Sequence, residues 1–279
     1  MRLIGKLLLD HETHSALFSS NLLECPHKFI IETPRQKLFY YGSKHSTNPK
    51  HPQFPDIKRG WADWMQKTIG QPRLAVVEGG LPPPYDNRAR AIKSGAEPGY
   101  VSYLAGLNHI KVISPEPGRK YIDKRLVKHF DKDEIQFQYF ACIAWQYSAL
   151  YPKEKFKNYL QWYLDYCQRE SDWKNYDFSL DHMDDICLKL TGKSIDKHIP
   201  STWNELINPF NQKSPLVKIA RADLDLRDTH VVKELVKEFR RGRSLFIVFS
   251  YNHAYRQEPA LKKLLAPARF KHIKPQVRF

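Results

Sequence analysis

The stretch that most constrains this chain is Ser-Leu-Phe-Ile-Val-Phe at residues 244–249, the most apolar strand it contains. Gly242 separates it from an amphipathic helix whose buried stripe is Val231, Val232, Leu235, Val236 and Phe239, with Asp225 or Asp228 placed to cap the start. The N-terminal part repeats this alternation. Residues 30–32 and 37–42 flank Thr33-Pro34-Arg35-Gln36 and read as a hairpin, and residues 73–77 and 111–114 read as short buried strands. Between those two, Pro98 suits the first turn of a helix, Glu97 lies near its positive end, and Tyr100, Val101, Leu104 and Leu107 form its apolar stripe. Strands and helices in this order imply an α/β fold, a mixed or parallel sheet flanked by helices.

Charge divides the chain. Of 45 Lys and Arg and 30 Asp and Glu, residues 1–100 hold 14 basic and 9 acidic, 101–210 hold 15 of each, and 211–279 hold 16 and 6. A neutral middle between basic flanks implies that 1–118 and 212–279 build the α/β core and that 119–211 is an inserted helical subdomain, a candidate lid. In that middle, Phe137, Phe140, Ala141, Ala144, Trp145 and Ser148, then Tyr159, Leu160, Trp162, Tyr163 and Tyr166, recur at helical spacing. Apolar residues at 42% and aromatics at 13% suffice for a packed core and exclude a mainly disordered or fibrous chain. No run approaches the roughly 18 apolar residues of a membrane helix. Leu7, Leu8 and Leu9 before Asp10 are too few for a signal-peptide core, so a cytoplasmic protein is expected. Cys25, Cys142, Cys167 and Cys187 are widely spaced and never CxxC, which implies reduced thiols rather than disulfides or a cysteine metal site.

Four polar residues share one address. His45 follows the strand at 37–42, Glu78 ends the strand at 73–77, Glu116 follows the strand at 111–114, and His253 follows the strand at 244–249. The carboxyl ends of strands form the rim at which open α/β sheets bind ligands. Imidazoles and carboxylates converging there can ligate a divalent metal or run general acid–base chemistry without one. Gly42, Gly79 and Gly80 supply backbone freedom where strands turn and ligands approach, and Leu81-Pro82-Pro83-Pro84-Tyr85 is a stiff wall for the loop after Glu78. Other motifs fail. No GxGxxG follows a strand, Gly192-Lys193-Ser194 lacks the upstream glycine of a phosphate loop, and His11-Glu12-Thr13-His14 is one residue short of a zincin motif and reads as N-terminal surface.

Taken in order, Gly42-Ser43-Lys44-His45, Val76-Val77-Glu78-Gly79, Gly95-Ala96-Glu97, and Arg227-Asp228 before a strand ending in Ser250-Tyr251-Asn252-His253 resemble the Tiki/TraB, ChaN and erythromycin esterase-like superfamily. The resemblance spans residues 30–116 and 220–265. It implies an α/β core with its site at the strand ends, paired histidines His45 and His253, a principal carboxylate Glu78, and second-tier site residues Glu97 and Arg227. Members include metal-dependent hydrolases, macrolide esterases and a haem-binding lipoprotein. One departure stands out: Ser250 occupies the place of the glycine in the second GxxH motif.

The leading expectation is a hydrolase of esterase or peptidase type. In one form, His45, His253 and a carboxylate, with Glu78 the candidate, hold a divalent metal that polarises a carbonyl and lowers the pKa of a bound water, with Glu78 as general base; in the other, His45 or Glu78 activates water directly and Arg227 stabilises the oxyanion. The basic flanks favour a small-molecule or peptide substrate that is anionic. A second expectation is a haem- or small-ligand-binding protein, with His45, His253 or Tyr251 as axial ligand and Tyr40 and Tyr41 stacking on the ligand. A third is a nucleic-acid-binding protein using Arg240-Arg241-Gly242-Arg243 and the basic tail.

Overall fold

In the computed structural model, residues 2–20, 22–150, 156–197, 199–265 and 269–272 are described. The chain divides into two compact units, one of residues 1–116 and 228–279 and one of residues 117–227. The first unit opens with α1 (Arg2–Gly5) and α2 (His11–Ser19), followed by β1 (His27–Glu32), β2 (Lys37–Ser43), α3 (Gln53–Lys67), β3 (Arg73–Val77), α4 (Arg88–Leu107) and β4 (Val112–Ile113). The second holds α5 (Arg119–Leu126), α6 (Lys132–Leu150), α7 (Phe156–Glu170), α8 (Leu180–Thr191) and α9 (Pro200–Ile207). The long α10 (Val217–Arg240) begins in the second unit and ends in the first, so the second boundary falls inside a helix rather than at 211/212. After it come β5 (Ser244–Ser250), α11 (Tyr251–Leu264) and β6 (Arg269–His272).

The sheet has the order β4-β3-β5-β2-β1-β6. β4, β3, β5 and β2 run parallel, and β1 pairs antiparallel with both β2 and β6. The hairpin and the strands expected from the sequence are therefore present, with β5 central. Its side chains explain the apolar run: Leu245, Ile247 and Phe249 pack on one face with residues of α10 and α11, while Phe246 and Val248 pack on the other with Phe54, Trp61 and Trp64 of α3 and Tyr100 of α4. A strand covered on both faces cannot alternate apolar with polar. Tyr40 and Tyr41, adjacent on β2, fall into opposite layers and are both fully buried. They are core residues, not the exposed stacking platform expected for a planar ligand.

In the second unit, Phe137, Phe140, Leu160, Leu164, Met183 and Trp203 form the helical core. The aromatics at helical spacing are thus partly core and partly surface, since Trp162 and Tyr166 are exposed. All four cysteines are free. Among the described residues no helix is long and apolar enough to cross a membrane.

Gly42 shows how close the packing is where β2 meets α11. A Cβ at this position would lie 2.7 Å from Ala254 Cβ and 2.9 Å from both His27 O and Tyr251 Cα. Its glycine identity serves close approach rather than a left-handed turn, unlike Gly79 and Gly80, whose φ values are +80° and +93°. Gly42→Ala should lower stability by about 1–3 kcal/mol in urea denaturation, because two of the three obstructing atoms are backbone and cannot rotate away.

Candidate functional site

Because β2, β5 and β3 are parallel neighbours, their carboxyl ends lie side by side, and the residues that follow them meet. Ser43 pairs with Ser250 and Val77 with Val248 in register. His45 leaves β2, Glu78 leaves β3, and His253 stands on the first turn of α11 directly after β5. Glu78 lies between the two imidazoles: His253 Nε2 is 3.4 Å from its Oε1 and His45 Nε2 is 3.9 Å from its Oε2. The same Oε2 accepts the Ser250 N–H at 2.5 Å.

Each imidazole is backed at its other nitrogen by a buried carboxylate. His45 Nδ1 donates to Glu97 Oε2 at 3.1 Å, and His253 Nδ1 donates to Asp228 Oδ1 at 2.6 Å. This fixes both rings with Nε2 toward Glu78. Glu97, fully buried, also accepts the Ser46 N–H at 2.7 Å and the Gln53 side-chain amide. Asp228, also fully buried, accepts Arg256 Nε at 2.7 Å and Gln257 Nε2 at 2.8 Å. The array reads Glu97, His45, Glu78, His253, Asp228, and only His45 is open to solvent, with 57% of its side chain exposed.

Glu97 reaches this place through a break in α4. Ala96 has φ 48° and ψ −136°, a region that side chains other than glycine rarely enter, and Pro98 then starts the second helical stretch. The expected helix start near Pro98 is therefore a restart within a longer element, and the first half of α4 begins ten residues earlier, at Arg88, capped by Asn87.

Burial disfavours charge on His253, but Asp228 and Glu78 outweigh it and raise its pKa to about 10. Burial likewise pushes Asp228 up, while His253, Arg256 and Gln257 together hold it at about 2. His253 is thus an imidazolium at neutral pH. For His45 the Glu97 hydrogen bond raises the pKa above the ordinary histidine value, burial opposes, and Glu78 adds to the rise.

Two sequence expectations need correction here. Asp228 does not cap a helix: α10 starts at Val217, so Asp228 is an interior, buried residue and the partner of His253. The His11–His14 segment is not simply surface either. His14 is fully buried on α2, which pushes its pKa down to about 4, and His11 Nδ1 lies 3.2 Å from Arg256 Nη1. Arg227 pairs with Asp223 at 3.9 Å on α10, and Glu116 accepts the Gly79 N–H and so anchors the loop after Glu78. Asp228, Gln53, Arg256 and Gln257 were not anticipated. Asp228 had a legible signal, since it precedes Val231 and Val232 by three and four residues and so shares their buried stripe.

The metal implied by the resemblance is not matched by this arrangement. Among the described residues no group of three His, Cys, Asp or Glu side chains is disposed to hold a metal ion. Comparison with family models, curated proteins and solved structures gives no match.

The His253–Asp228 pair makes stability depend on pH. The His253 contribution is complete below its unfolded pKa near 6.5 and is lost as pH rises toward about 10; that of Asp228 is complete above about 3.8 and is lost as pH falls toward about 2. Urea denaturation should therefore show highest stability between about pH 4 and 6.5 from this pair. Asp228→Asn should cost about 3–5 kcal/mol and, by NMR titration, lower the pH at which His253 loses its proton.

Proposed function

We propose that the protein is a hydrolase of carboxylic esters in which His45 is the general base. The observation that carries this reading is the exposed His45, oriented by Glu97 at Nδ1 and facing Glu78 with Nε2. A base must be reachable, be held in one tautomer and titrate near the working pH. His45 meets the first two conditions by geometry, and the Glu97 hydrogen bond raises its pKa above the ordinary histidine value.

A water hydrogen-bonded to both His45 Nε2 and Glu78 Oε2 fits their 3.9 Å separation on the open side of the pair. His45 takes one proton from that water as its oxygen adds to the ester carbonyl carbon. The tetrahedral intermediate collapses, the carbon–oxygen bond to the alcohol breaks, and His45 returns the proton to the departing alkoxide. Glu78 orients the water, and the His253 imidazolium holds Glu78 in place with the Ser250 N–H. The motif resemblance to a superfamily that includes esterases supports the same reading.

Hydrolysis of short-chain 4-nitrophenyl esters tests it. His45→Ala should lower kcat by about 10²–10⁴ with the fold intact by circular dichroism. Glu97→Gln should move the ascending limb of the pH–rate profile to lower pH, since the hydrogen bond that raises His45 is weakened. An unchanged rate in His45→Ala would remove the assignment. So would activity abolished by a chelator and restored only by a divalent ion.

A further inference from the structure

The segment that starts at Glu78 and ends at Glu97 supplies both carboxylates facing His45, and a cavity opens in its middle. It has a volume of about 430 Å³ and is lined by Pro83, Pro84, Tyr85, Asp86 and Arg90. Two observations tie it to the site. The Tyr85 ring packs on α4 at Gly95 and Gly99, on either side of Ala96 and Glu97: a Cβ on Gly95 would fall 2.8 Å from Tyr85 Oη, and one on Gly99 would fall 3.3 Å from Tyr85 Cε2. Arg88, on the first turn of the same helix, donates to Pro49 O at 3.3 Å and so links α4 to the loop that carries His45.

The chemistry of the lining is specific. Two prolines and a tyrosine give a rigid apolar wall, and Arg90 is exposed and makes no ion pair among the described residues. The exposed charges on the adjoining turns of α4, Arg88 and Lys93, are basic, as are Lys44 and Lys50 on the loop after β2, and Asp86 is the acid between Glu78 and Glu97. An arginine beside an apolar wall suits a carboxylate carried on a ring, because the guanidinium forks onto the carboxylate while the ring lies against proline and tyrosine.

We propose that this cavity is the substrate subsite of the esterase and that it takes an aromatic ring bearing a carboxylate, with Arg90 as the anion-binding residue and Tyr85 as the wall that joins occupancy of the cavity to Glu97. That the occupant is part of a substrate rests on the hydrolase reading; that the cavity binds it does not. Binding is measured on the full chain by NMR or calorimetry with 4-(hydroxymethyl)benzoate, and benzyl alcohol as the uncharged control. The carboxylate should bind at least about tenfold more tightly than the alcohol, a margin that one charge-assisted hydrogen bond supplies. Arg90→Met should erase that margin, Asp86→Asn should widen it, and His45→Ala should leave it unchanged.

Turnover supplies the second arm. Wild type should hydrolyse 4-(acetoxymethyl)benzoate with a higher kcat/KM than benzyl acetate, and Arg90→Met should equalise the two. Arg90-dependent binding without His45-dependent turnover would retain the subsite and remove the esterase. His45-dependent turnover with equal binding of acid and alcohol would do the reverse. Weaker binding of the carboxylate in Asp86→Asn would overturn the assignment, since loss of a negative charge beside Arg90 should strengthen an anion site.

Discussion

A single buried negative charge organises the end of this sheet. Asp228 sits in the interior of α10 with no exposure, where an uncompensated carboxylate would cost several kcal/mol. Among the described residues its hydrogen bonds come from α11: Oδ1 accepts from His253 and Gln257, and Oδ2 accepts from Arg256. α11 follows β5 without a loop, so these bonds fix the end of the central strand relative to α10. They also propagate. Gln257 accepts the Tyr40 hydroxyl from β2 at 2.9 Å, Arg256 donates to Leu9 O at 3.1 Å, and His253 reaches Glu78 after β3. Strands β2, β3 and β5 and the N-terminal segment thus share one electrostatic centre, and the orientation of Glu78 toward His45 follows from it.

What was legible in the sequence was local. Each of His45, Glu78 and His253 stands within a few residues of an apolar run, and parallel pairing was enough to bring their addresses together. What was not legible depends on how far helices extend. Asp228 looks like a cap because aspartate favours caps and an apolar stripe begins just after it. Only the continuation of α10 back to Val217 turns it into a buried residue. Gln53 on the first turn of α3 and Arg256 and Gln257 on α11 are likewise ordinary polar residues on amphipathic helices until their long-range partners Glu97 and Asp228 are known. Nor does an alanine announce a positive φ: Ala96 carries no sign of the break that it makes.

The unequal motifs, glycine in one and serine in the other, have a steric origin. Ser250 pairs in register with Ser43, so Gly42 faces Phe249 and the two motif positions are not equivalent in the sheet. Gly42 lies under the start of α11, where Tyr251 and Ala254 leave no room for a side chain. Ser250 has φ −59° and ψ 152°, an extended conformation open to any residue. What the site takes from it is its N–H, donated to Glu78. A serine there leaves the imidazole three residues on in its place against Asp228.

The break at Ala96 follows the same logic as the buried charge. A regular helix turns about 100° per residue, and uninterrupted helical geometry from Arg88 would fix the direction of Glu97 by the packing of Ala91 and Ile92 on the core. A residue in the mirror region of backbone space costs about 1–3 kcal/mol, and it frees the second half of α4 to set its own phase. Tyr100, Val101 and Leu104 can then pack on the sheet while Glu97 meets His45, Ser46 and Gln53. Three hydrogen bonds to one carboxylate are of a size to offset that strain. Strain on the backbone and order at His45 are therefore two sides of one arrangement: the helix is broken where the core and the site demand different phases.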